Sequence, residues 1–570
     1  MKFRYAVAYS VALSLAITAP LFAPGYLLLR DAVSTPRSYV TDAALGIAQA
    51  APRAVPQDVA VASLSALIDG GVVVKALLVA ALVLAGAGAA RLAALVLPDA
   101  GGPGQLVAVT VAIWNPYVAE RLLQGHWSLL VGYGCLPWVA AAVIRLRTAA
   151  RGVDFASAAF WIALAGLTPT GLILAAIVAL VAVACPGAAL SRIRCAAAVL
   201  VVSALAASPW LTAAAVGGAL GGEQAGGLVP FAARAEPLLG TLGSLAGLGG
   251  IWNAEAVPDS RTTAFAIVAT AVLLAVVAVG APAVLRNRTA TPLAILAAVS
   301  VLLPAVMATG PGLSALRALV EAVPGLAVLR DGQKWVALAM PGYALAGAGA
   351  VLTLRGRVRP WTAAALCCAA LIAVLPDLAW GAWGKVTAVH YPPGWAAVAA
   401  VINDNTGVNH DPGPVAVLPA DSTRRFPWAG AAPVLDPLPR WLHADVLSTG
   451  DLAVAGTTVA GEGVHARAVQ QMLLDGTDAE TLRRAGVAWI VSEQRTPGAT
   501  GDSATTLRAL PIVYRDDEMI LYRVDGSAPG ADARVRAAAI TAHLVWAGLL
   551  LGSLAFLAIA YWGGRPYRRS

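Results

Sequence analysis

Long apolar segments alternate with short polar connections along most of this chain, and the longest polar stretch lies near its C-terminal end. A helix needs about 20 predominantly apolar residues to cross a bilayer, and about twelve segments can be interpreted as such helices. The pattern therefore predicts an all-α polytopic membrane bundle. The segments are 5–28, 72–97, 105–119, 127–144, 155–168, 171–187, 195–217, 263–284, 291–309, 335–354, 360–379 and 537–562.

The polar stretch at 380–535 is long enough to form a small domain of its own. Its pattern predicts an α/β fold that ends in a hairpin. The predicted elements are helices at 395–402 and 478–485 and strands at 414–419, 487–492, 510–514 and 519–524. We therefore divide the chain into a transmembrane module at 1–379, an α/β domain at 380–535, and a final helix with a basic tail at 536–570.

Composition agrees with a membrane protein. Hydrophobic residues make up 59% of the chain and charged residues only 12%, whereas soluble domains carry about 25% charged residues. These values exclude an ordinary soluble enzyme and a disordered chain. The net charge is +8, but the basic residues are scattered in short loops, which is typical of membrane topology and predicts no nucleic-acid partner.

The arginines orient the bundle. Each basic cluster falls at a terminus or in an even-numbered gap between apolar segments, so the positive-inside rule places both termini in the cytoplasm of a plasma membrane protein. We interpret the first segment as an uncleaved anchor rather than a signal peptide. Four pieces then lie outside, at 29–71, 218–262, 310–334 and 380–535. The clusters are Lys2 and Arg4; Arg145, Arg147 and Arg151; Arg192 and Arg194; Arg286 and Arg288; Arg355, Arg357 and Arg359; and Arg565, Arg568 and Arg569.

Asp31 follows the first predicted helix directly. An acid at the edge of a membrane is partly desolvated, which raises its pKa and makes it a better general base. Asp42 is the next acid in the same loop. The alternative is an interfacial acid paired with Arg30 or Arg37.

A short outward turn between the third and fourth helices carries Glu120, Arg121 and His126. Ionisable residues at membrane depth are costly and are often functional. The alternative is an interfacial Glu120–Arg121 pair beside an aromatic belt. His126 alone does not make a metal site, because no second ligand lies at helical spacing.

A third group of polar residues lies just before the tenth helix. Arg330 and Lys334 offer cations for a phosphate at headgroup height, with Asp331 and Gln333 between them. The alternative is anchoring by snorkelling side chains, but cations are rare on the outer side. Trp252, Asn253 and Glu255 form a fourth group whose residue types suit sugar binding and equally an ordinary polar loop.

Several familiar motifs are missing from the sequence. It contains no P-loop, no dinucleotide fingerprint, no GxSxG, no HExxH and no cysteine-rich zinc spacing. ATP-driven transport is therefore not supported.

The layout resembles the GT-C class of polytopic glycosyltransferases, which have many helices, a long first outer loop with an acid after helix one, and a C-terminal soluble module. Asp31 matches the position of that acid. Five segments also resemble members from organisms with arabinan- and mannan-containing envelopes, namely Arg30–Arg37, Pro52–Pro56, Asn115–Trp127, Gly250–Pro258 and Arg330–Trp335. The segment Leu482–Ser492, followed by Val513–Val524, resembles the small α/β module of related lipid-linked glycosyltransferases.

The resemblance implies an outward-facing enzyme that transfers a sugar, mannose or arabinofuranose, from a polyprenyl-phosphate donor to an envelope glycan or lipid acceptor, with inversion. Asp31 is then the general base, and Arg330 and Lys334 bind the donor phosphate. The sequence departs from the family pattern at its acidic pair, which is not adjacent here because Ala32 follows Asp31. Binding of a divalent cation is therefore left open as a possibility. The supporting residues are Asp42, Glu120, Arg121, His126, Trp252, Asn253, Glu255, Asp331 and Gln333, with Trp428, Arg440 and Trp441 near the acceptor.

Two other interpretations remain. A transporter or lipid flippase needs a polar path through the membrane, and only the break at 168–171 favours it. A non-catalytic envelope-assembly protein is also compatible with the sequence. A polar cavity that joins Asp31 to the 330–334 segment favours the enzyme, and a collapsed apolar interior favours the assembly protein.

Overall fold

The computed structural model describes residues 3–48, 54–216, 227–323, 325–404, 412–454 and 456–563. Parts of the predicted first and second outer loops lie outside the described residues, as do several residues used above. These are Lys2, Pro52, Arg53, Arg565, Arg568 and Arg569.

The chain is a helical membrane bundle, and every predicted apolar segment contains a helix. Within the described residues, eight helices are long and apolar enough to cross a membrane, or ten if each bent pair is one span. They are Phe3–Phe22, Gly70–Val96, Pro98–Leu123, Trp127–Thr148, Arg192–Val216, Phe265–Leu285, Gly332–Leu354 and Ala533–Trp562, with the bent pairs Thr291–Met307 plus Gly310–Ala322 and Pro360–Ala373 plus Pro376–Gly384.

The predicted number of spans is higher because it includes two short helices. Gly152–Ala165 and Pro169–Val183 contain 14 and 15 residues. At about 1.5 Å per residue, each is about 22 Å long, which is less than the hydrocarbon core of about 30 Å. The bend after Met307 has a local cause, since the Thr309 side chain caps a new helix that starts at Gly310 and turns away by 93°.

Small residues let the helices of the bundle pack closely. Gly280 in Phe265–Leu285 lies against the helix Met340–Leu354, and a Cβ at Gly280 would lie 1.7 Å from the carbonyl oxygen of Ala346. Close backbone approach of this kind is a common basis of helix association in membranes, where the lipid supplies no hydrophobic driving force.

The α/β domain contains a four-stranded sheet, and its predicted strands are confirmed with bounds shifted by one or two residues. The order is Ile512–Arg515, Met519–Arg523, Trp489–Glu493 and Val415–Leu418, with only the last pair parallel. The first two strands form the predicted hairpin. The helices of this region are Pro393–Asp404, Leu438–Trp441, Val464–Leu474, Ala479–Arg484 and Ser503–Leu507.

Smaller sheets and helices attach this domain to the bundle. Tyr26–Leu29 pairs with both Ala32–Val33 and Ala388–Val389, and Arg30 forms a bridge with Val434. Asp31 therefore lies where the first loop meets the α/β domain. The remaining pairs and short helices are Thr423–Arg424 with Val434–Leu435, Leu452–Val454 with Thr457–Val459, and the helices Asp42–Leu45, Gln57–Ser65 and Gly240–Ala246.

Candidate functional site

A cavity of about 400 Å³ lies between the outer loops of the bundle and the α/β domain. Asp31, His126 and Lys334 line it from the bundle side, so the structure brings together three residues from three separate predicted groups. The α/β domain supplies the opposite wall. Its polar lining residues are Ser422, Asp436, Arg440, Ser448 and Asp451.

A two-residue turn holds Asp31 at the edge of this cavity. Leu29 pairs with Ala32, so Arg30 and Asp31 form the tip of the hairpin. Arg30 has a φ of 49°, in the left-handed region that is costly for a residue with a Cβ. Its guanidinium holds it there by donating to the carbonyl oxygens of Leu123 at 2.6 Å and Glu255 at 2.7 Å. Such over-determined strain is often found at functional sites.

Gly125 allows the hairpin to approach the turn that carries His126. Its φ is +83°, and a Cβ there would lie 2.3 Å from both the Ala32 nitrogen and the Leu29 oxygen. Only glycine fits this backbone conformation without strain. The contact places His126 beside Asp31.

Asp31 accepts two hydrogen bonds from that turn. His126 Nε2 lies 2.8 Å and Gln124 Nε2 lies 3.1 Å from the same carboxylate oxygen. Burial tends to raise the pKa of Asp31, but the hydrogen bonds from His126 and Gln124 and the charge of Lys334 outweigh it and hold the pKa below its ordinary value. The expected upward shift is therefore wrong, and Asp31 is an ionised acceptor with 35% of its side chain exposed.

Arg121 is the centre of the network behind His126. Its side chain is fully buried, and it makes a bidentate pair with Asp331 at 2.9 and 3.0 Å. The Arg121 Nη1 atom also lies 3.1 Å from His126 Nδ1. A guanidinium can only donate, so His126 Nδ1 accepts and its Nε2–H donates to Asp31. Burial of His126 lowers its pKa, which agrees with a neutral imidazole.

Lys334 supplies a cation on the bundle side of the cavity. Its Nζ lies 3.8 Å from Asp331, and a quarter of the side chain is exposed. Asp331 also accepts from the Lys334 backbone nitrogen at 3.4 Å, as the cap of the 3₁₀ turn Gly332–Ala339. Burial opposes ionisation of Asp331, but Arg121 and Lys334 together lower its pKa to about 2.

Glu120 and Gln333 lie one layer deeper than predicted for substrate-binding residues, because both are fully buried. Glu120 accepts from the backbone nitrogens of Gly250 at 3.1 Å and Ile251 at 3.0 Å, and from the Gln333 amide at 3.1 Å. The oxygen of the same amide accepts from Arg121. These two residues therefore support the site and fasten the 250–251 loop to it.

Other predicted residues lie away from the cavity. Among the residues that the structure describes, neither Arg330 nor the group Trp252, Asn253 and Glu255 lines it. Arg330 and Trp252 pack on the ring of Phe231 instead, at 4.5 and 4.6 Å.

Two of these residues hold parts of the site in place. Asn253 donates to Gln124 at 2.7 Å, and Gln124 in turn contacts Asp31. Glu255 is mostly exposed and lies 3.9 Å from Arg30 and 3.7 Å from Arg425. Their observed contacts are structural.

Asp42 lines a different cavity, of about 290 Å³. Its carboxylate pairs with Arg536 and accepts from the Ala531 nitrogen at 2.8 Å. This ties the first loop to the start of the last helix. The arginine and that backbone bond lower the pKa of Asp42 against the effect of burial.

The polar wall of the α/β domain has no motif that marks it in the sequence. Ser448 and Asp451 lie in loops, and their approach to Asp31 depends on the tertiary fold. Arg440 does line the cavity, where its Nε lies 3.4 Å from Asp58. Trp441, by contrast, belongs to the core of the domain, against which the half-buried Trp428 packs.

The side chains around Asp31 do not fit a divalent cation. Its near neighbours are an imidazole and an amide, whereas Mg²⁺ and Ca²⁺ prefer several oxygen ligands. In the described ranges, no group of three or more His, Cys, Asp or Glu residues is placed to hold a metal ion.

No protein-family model matches this chain, and no curated protein matches it by sequence. Among solved structures, the chain is similar to the cryo-EM structure of the arabinofuranosyltransferase AftD from mycobacteria, with 17% identity and a TM-score of 0.56. The match covers 93% of this chain and 42% of AftD, so the chain spans less than half the length of that protein. The two chains share a fold, which supports the GT-C-like architecture expected from the sequence.

Proposed function

We propose that this protein is a membrane glycosyltransferase that moves a sugar from a polyprenyl-phosphate donor to an envelope glycan. The observation that carries the proposal is the cavity that holds an ionised Asp31 and the cation of Lys334 together. The fold shared with an arabinofuranosyltransferase supports this class, and it makes arabinofuranose our first choice of sugar, with mannose the second.

The proposed reaction is a single displacement at the anomeric carbon. An acceptor hydroxyl gives its proton to Asp31 as its oxygen bonds to the anomeric carbon. The bond from that carbon to the phosphate oxygen breaks, and the electron pair leaves with the phosphate. One displacement inverts the anomeric centre. The leaving phosphate needs no acid partner, unlike the leaving group in glycoside hydrolysis.

We assign the phosphate to Lys334. Negative charge grows on the phosphate oxygen as the sugar leaves, and a fixed cation stabilises the transition state more than the ground state. Asp331 does not cancel this cation, because its carboxylate is shared with Arg121. Arg330 is left with a structural role on Phe231.

The α/β wall suits a polyhydroxylated acceptor better than a lipid. Ser448 and Ser422 present hydroxyls, and the Ser422 hydroxyl also accepts from the Gly450 nitrogen at 2.8 Å. The Asp451 carboxylate is held by Arg467 and by the Gly461 nitrogen at 2.7 Å. Positioned hydroxyls and carboxylates are typical partners of sugar hydroxyls. We therefore favour the glycan over the lipid acceptor.

The proposal includes the orientation of the protein in the membrane. Both termini lie in the cytoplasm, and the cavity and the 380–535 domain lie outside the plasma membrane. The units are those expected from the sequence, at 1–379, 380–535 and 536–570. The proposed reaction contains no metal step.

A transfer assay tests the function. Purified protein is incubated with synthetic polyprenyl-phosphate arabinofuranose or mannose and with arabinan or mannan oligosaccharides, and the products are identified by mass spectrometry and NMR. We expect transfer with inverted configuration from one donor. If well-folded protein transfers neither sugar but moves the intact lipid across vesicle membranes, the flippase interpretation is correct. If it neither transfers sugar nor moves the lipid, the interpretation as an envelope-assembly protein is correct.

A further inference from the structure

The hydrogen bonds of Arg121 connect the two halves of the proposed site. Its Nη hydrogens point to both carboxylate oxygens of Asp331, to His126 Nδ1 and to the Gln333 side-chain oxygen. Asp331 in turn caps the turn that carries Lys334. Arg121 is fully buried, so a substrate in the cavity does not reach it.

We propose that Arg121 is a positioning residue that locks His126 as the neutral Nε2–H tautomer and fixes the spacing between Asp31 and Lys334. This inference rests on the proposed function, because it assigns the base and the phosphate cation to those two residues. Nδ1 of His126 accepts from Arg121 at 3.1 Å, and that atom is then closed to a proton. His126 can only donate to Asp31.

The fixed tautomer of His126 determines which group takes the proton of the acceptor hydroxyl. As the acceptor oxygen bonds to the anomeric carbon, its proton moves to the free oxygen of the Asp31 carboxylate. His126 keeps its own proton on Nε2 throughout and stabilises the carboxylate by one hydrogen bond. After the sugar has left the phosphate, Asp31 returns its proton to water. A single carboxylate thus acts as the base, with no relay through the imidazole.

Several charged groups face His126. Asp31 favours its protonation, and Arg121 and Lys334 oppose it. Asp331 contacts the same Nη1 atom of Arg121 as His126 does and also interacts electrostatically with His126. A protonated Nδ1 would point directly at the Arg121 guanidinium, which carries a permanent charge. This contact excludes the imidazolium as long as Arg121 is in place.

Lysine is not an equivalent residue at position 121. The planar fork of arginine holds two carboxylate oxygens and a third partner at fixed angles, whereas an ammonium group acts as a single charged point. Arg121→Lys therefore keeps the charge but loses the fixed contact with His126. The spacing of Asp31 and Lys334 should loosen with it.

The wild-type protein tests the tautomer without any activity measurement. The chain has six histidines, and ¹⁵N-histidine labelling with NMR distinguishes a protonated ring nitrogen from a bare one. The signal of His126 is assigned by its loss in His126→Gln. We expect a bare Nδ1 and a protonated Nε2 between pH 5.5 and 8. A protonated Nδ1 anywhere in that range contradicts the proposal that Arg121 fixes the neutral Nε2–H tautomer.

The kinetic test uses Arg121→Lys. We expect kcat to fall about 10²-fold, as for a misplaced reacting group, with little change in the acceptor KM. We also expect a new ionisation below about pH 6.5 in the pH profile, because His126 can then take a second proton while its burial still lowers its pKa. The double variant Arg121→Lys, His126→Gln should lose this ionisation, since glutamine does not titrate. An unchanged pH profile in folded Arg121→Lys contradicts the proposal.

These measurements separate the two claims. Absence of transfer in the wild type overturns the proposed function, while the NMR result still decides the tautomer. If Arg121→Lys does not fold, the wild-type NMR spectra and the pH profile of His126→Gln still test the proposal. His126→Gln should keep the acid limb of the wild-type pH profile, because glutamine can donate to Asp31 and accept from Arg121. A shifted acid limb in His126→Gln contradicts the proposed role of Arg121.

Discussion

Replacement of Lys334 by methionine removes the proposed phosphate cation and keeps most of the side chain's volume. Lys334 Nζ lies 3.8 Å from Asp331, whose carboxylate is already neutralised by the bidentate contact with Arg121. Asp331 therefore stays paired in the variant, and the bundle should fold. The substitution then removes the cation that we assign to the donor phosphate.

The magnitude follows from the position of the charge. Two unit charges about 4 Å apart interact by about 4 kcal/mol at an effective dielectric constant of about 20. The residual attraction to Asp331 reduces the share available to the phosphate. Loss of one preorganised partner of a developing charge typically costs about 10²–10³-fold in rate. We expect a decrease of that size in kcat/KM, mostly in kcat.

Initial rates of transfer from the polyprenyl-phosphate donor are the measurement. Lys334→Arg should recover part of the rate, because it restores a cation. Lys385→Met is the matched control, since Lys385 forms a solvent-accessible pair with Asp259 at 2.5 Å and surface pairs contribute little. A Lys334→Met rate within about threefold of the wild type would refute the assignment of the phosphate to Lys334.

Three further predictions concern pH and stability. Because the pKa of Asp31 is lowered, the base is ionised at neutral pH, and kcat/KM should fall only below pH of about 4; an acid limb at or above pH 6 in the wild type contradicts this. Arg261→Met leaves the fully buried Glu236 carboxylate without its ion pair, so thermal and denaturant unfolding should show a loss of about 3–5 kcal/mol, and a loss under about 1 kcal/mol would contradict it. Burial raises the pKa of Glu493 to about 8, with Arg424 opposing and Asp436 adding to the shift. The contribution of Glu493 to folding stability is therefore fully present below its unfolded-state pKa of about 4.3 and is lost as pH rises through 8. Glu493→Gln should flatten the pH dependence of the melting temperature. Equal slopes for variant and wild type would refute this prediction.

Three polar residues on the bundle side of the cavity can be selected from the sequence. Charged side chains are rare in apolar segments, so Asp31, His126 and Lys334 stand out at the ends of predicted helices. Membrane insertion forces such groups to one boundary or the other. The strands of the α/β domain were also predictable, because alternating apolar residues and the polar hairpin tip mark them.

The roles of neighbouring residues were not predictable. Arg330 and Lys334 are four positions apart, and the 3₁₀ turn that begins at Gly332 sends only Lys334 to the cavity. Burial likewise decides that Arg121 supports the site and does not touch substrate. Such differences depend on tertiary packing, which a sequence pattern does not contain.

The α/β wall of the cavity shows the same limit. Ser448 and Asp451 lie in loops about 420 positions from Asp31 in the chain. They reach it because the first-loop hairpin pairs with Ala388–Val389 and with Val434. The two-residue strand at 388–389 is too short to be predicted from alternation.

The most direct test of the account compares wild-type protein with Asp31→Asn in the transfer assay. The amide has almost the same shape as the carboxylate but cannot take the proton of the acceptor hydroxyl. We predict that transfer falls about 10²–10⁴-fold, the usual share of a general base, while thermal unfolding and donor binding stay close to the wild type. Transfer at the wild-type rate by folded Asp31→Asn would contradict the central claim that Asp31 is the base.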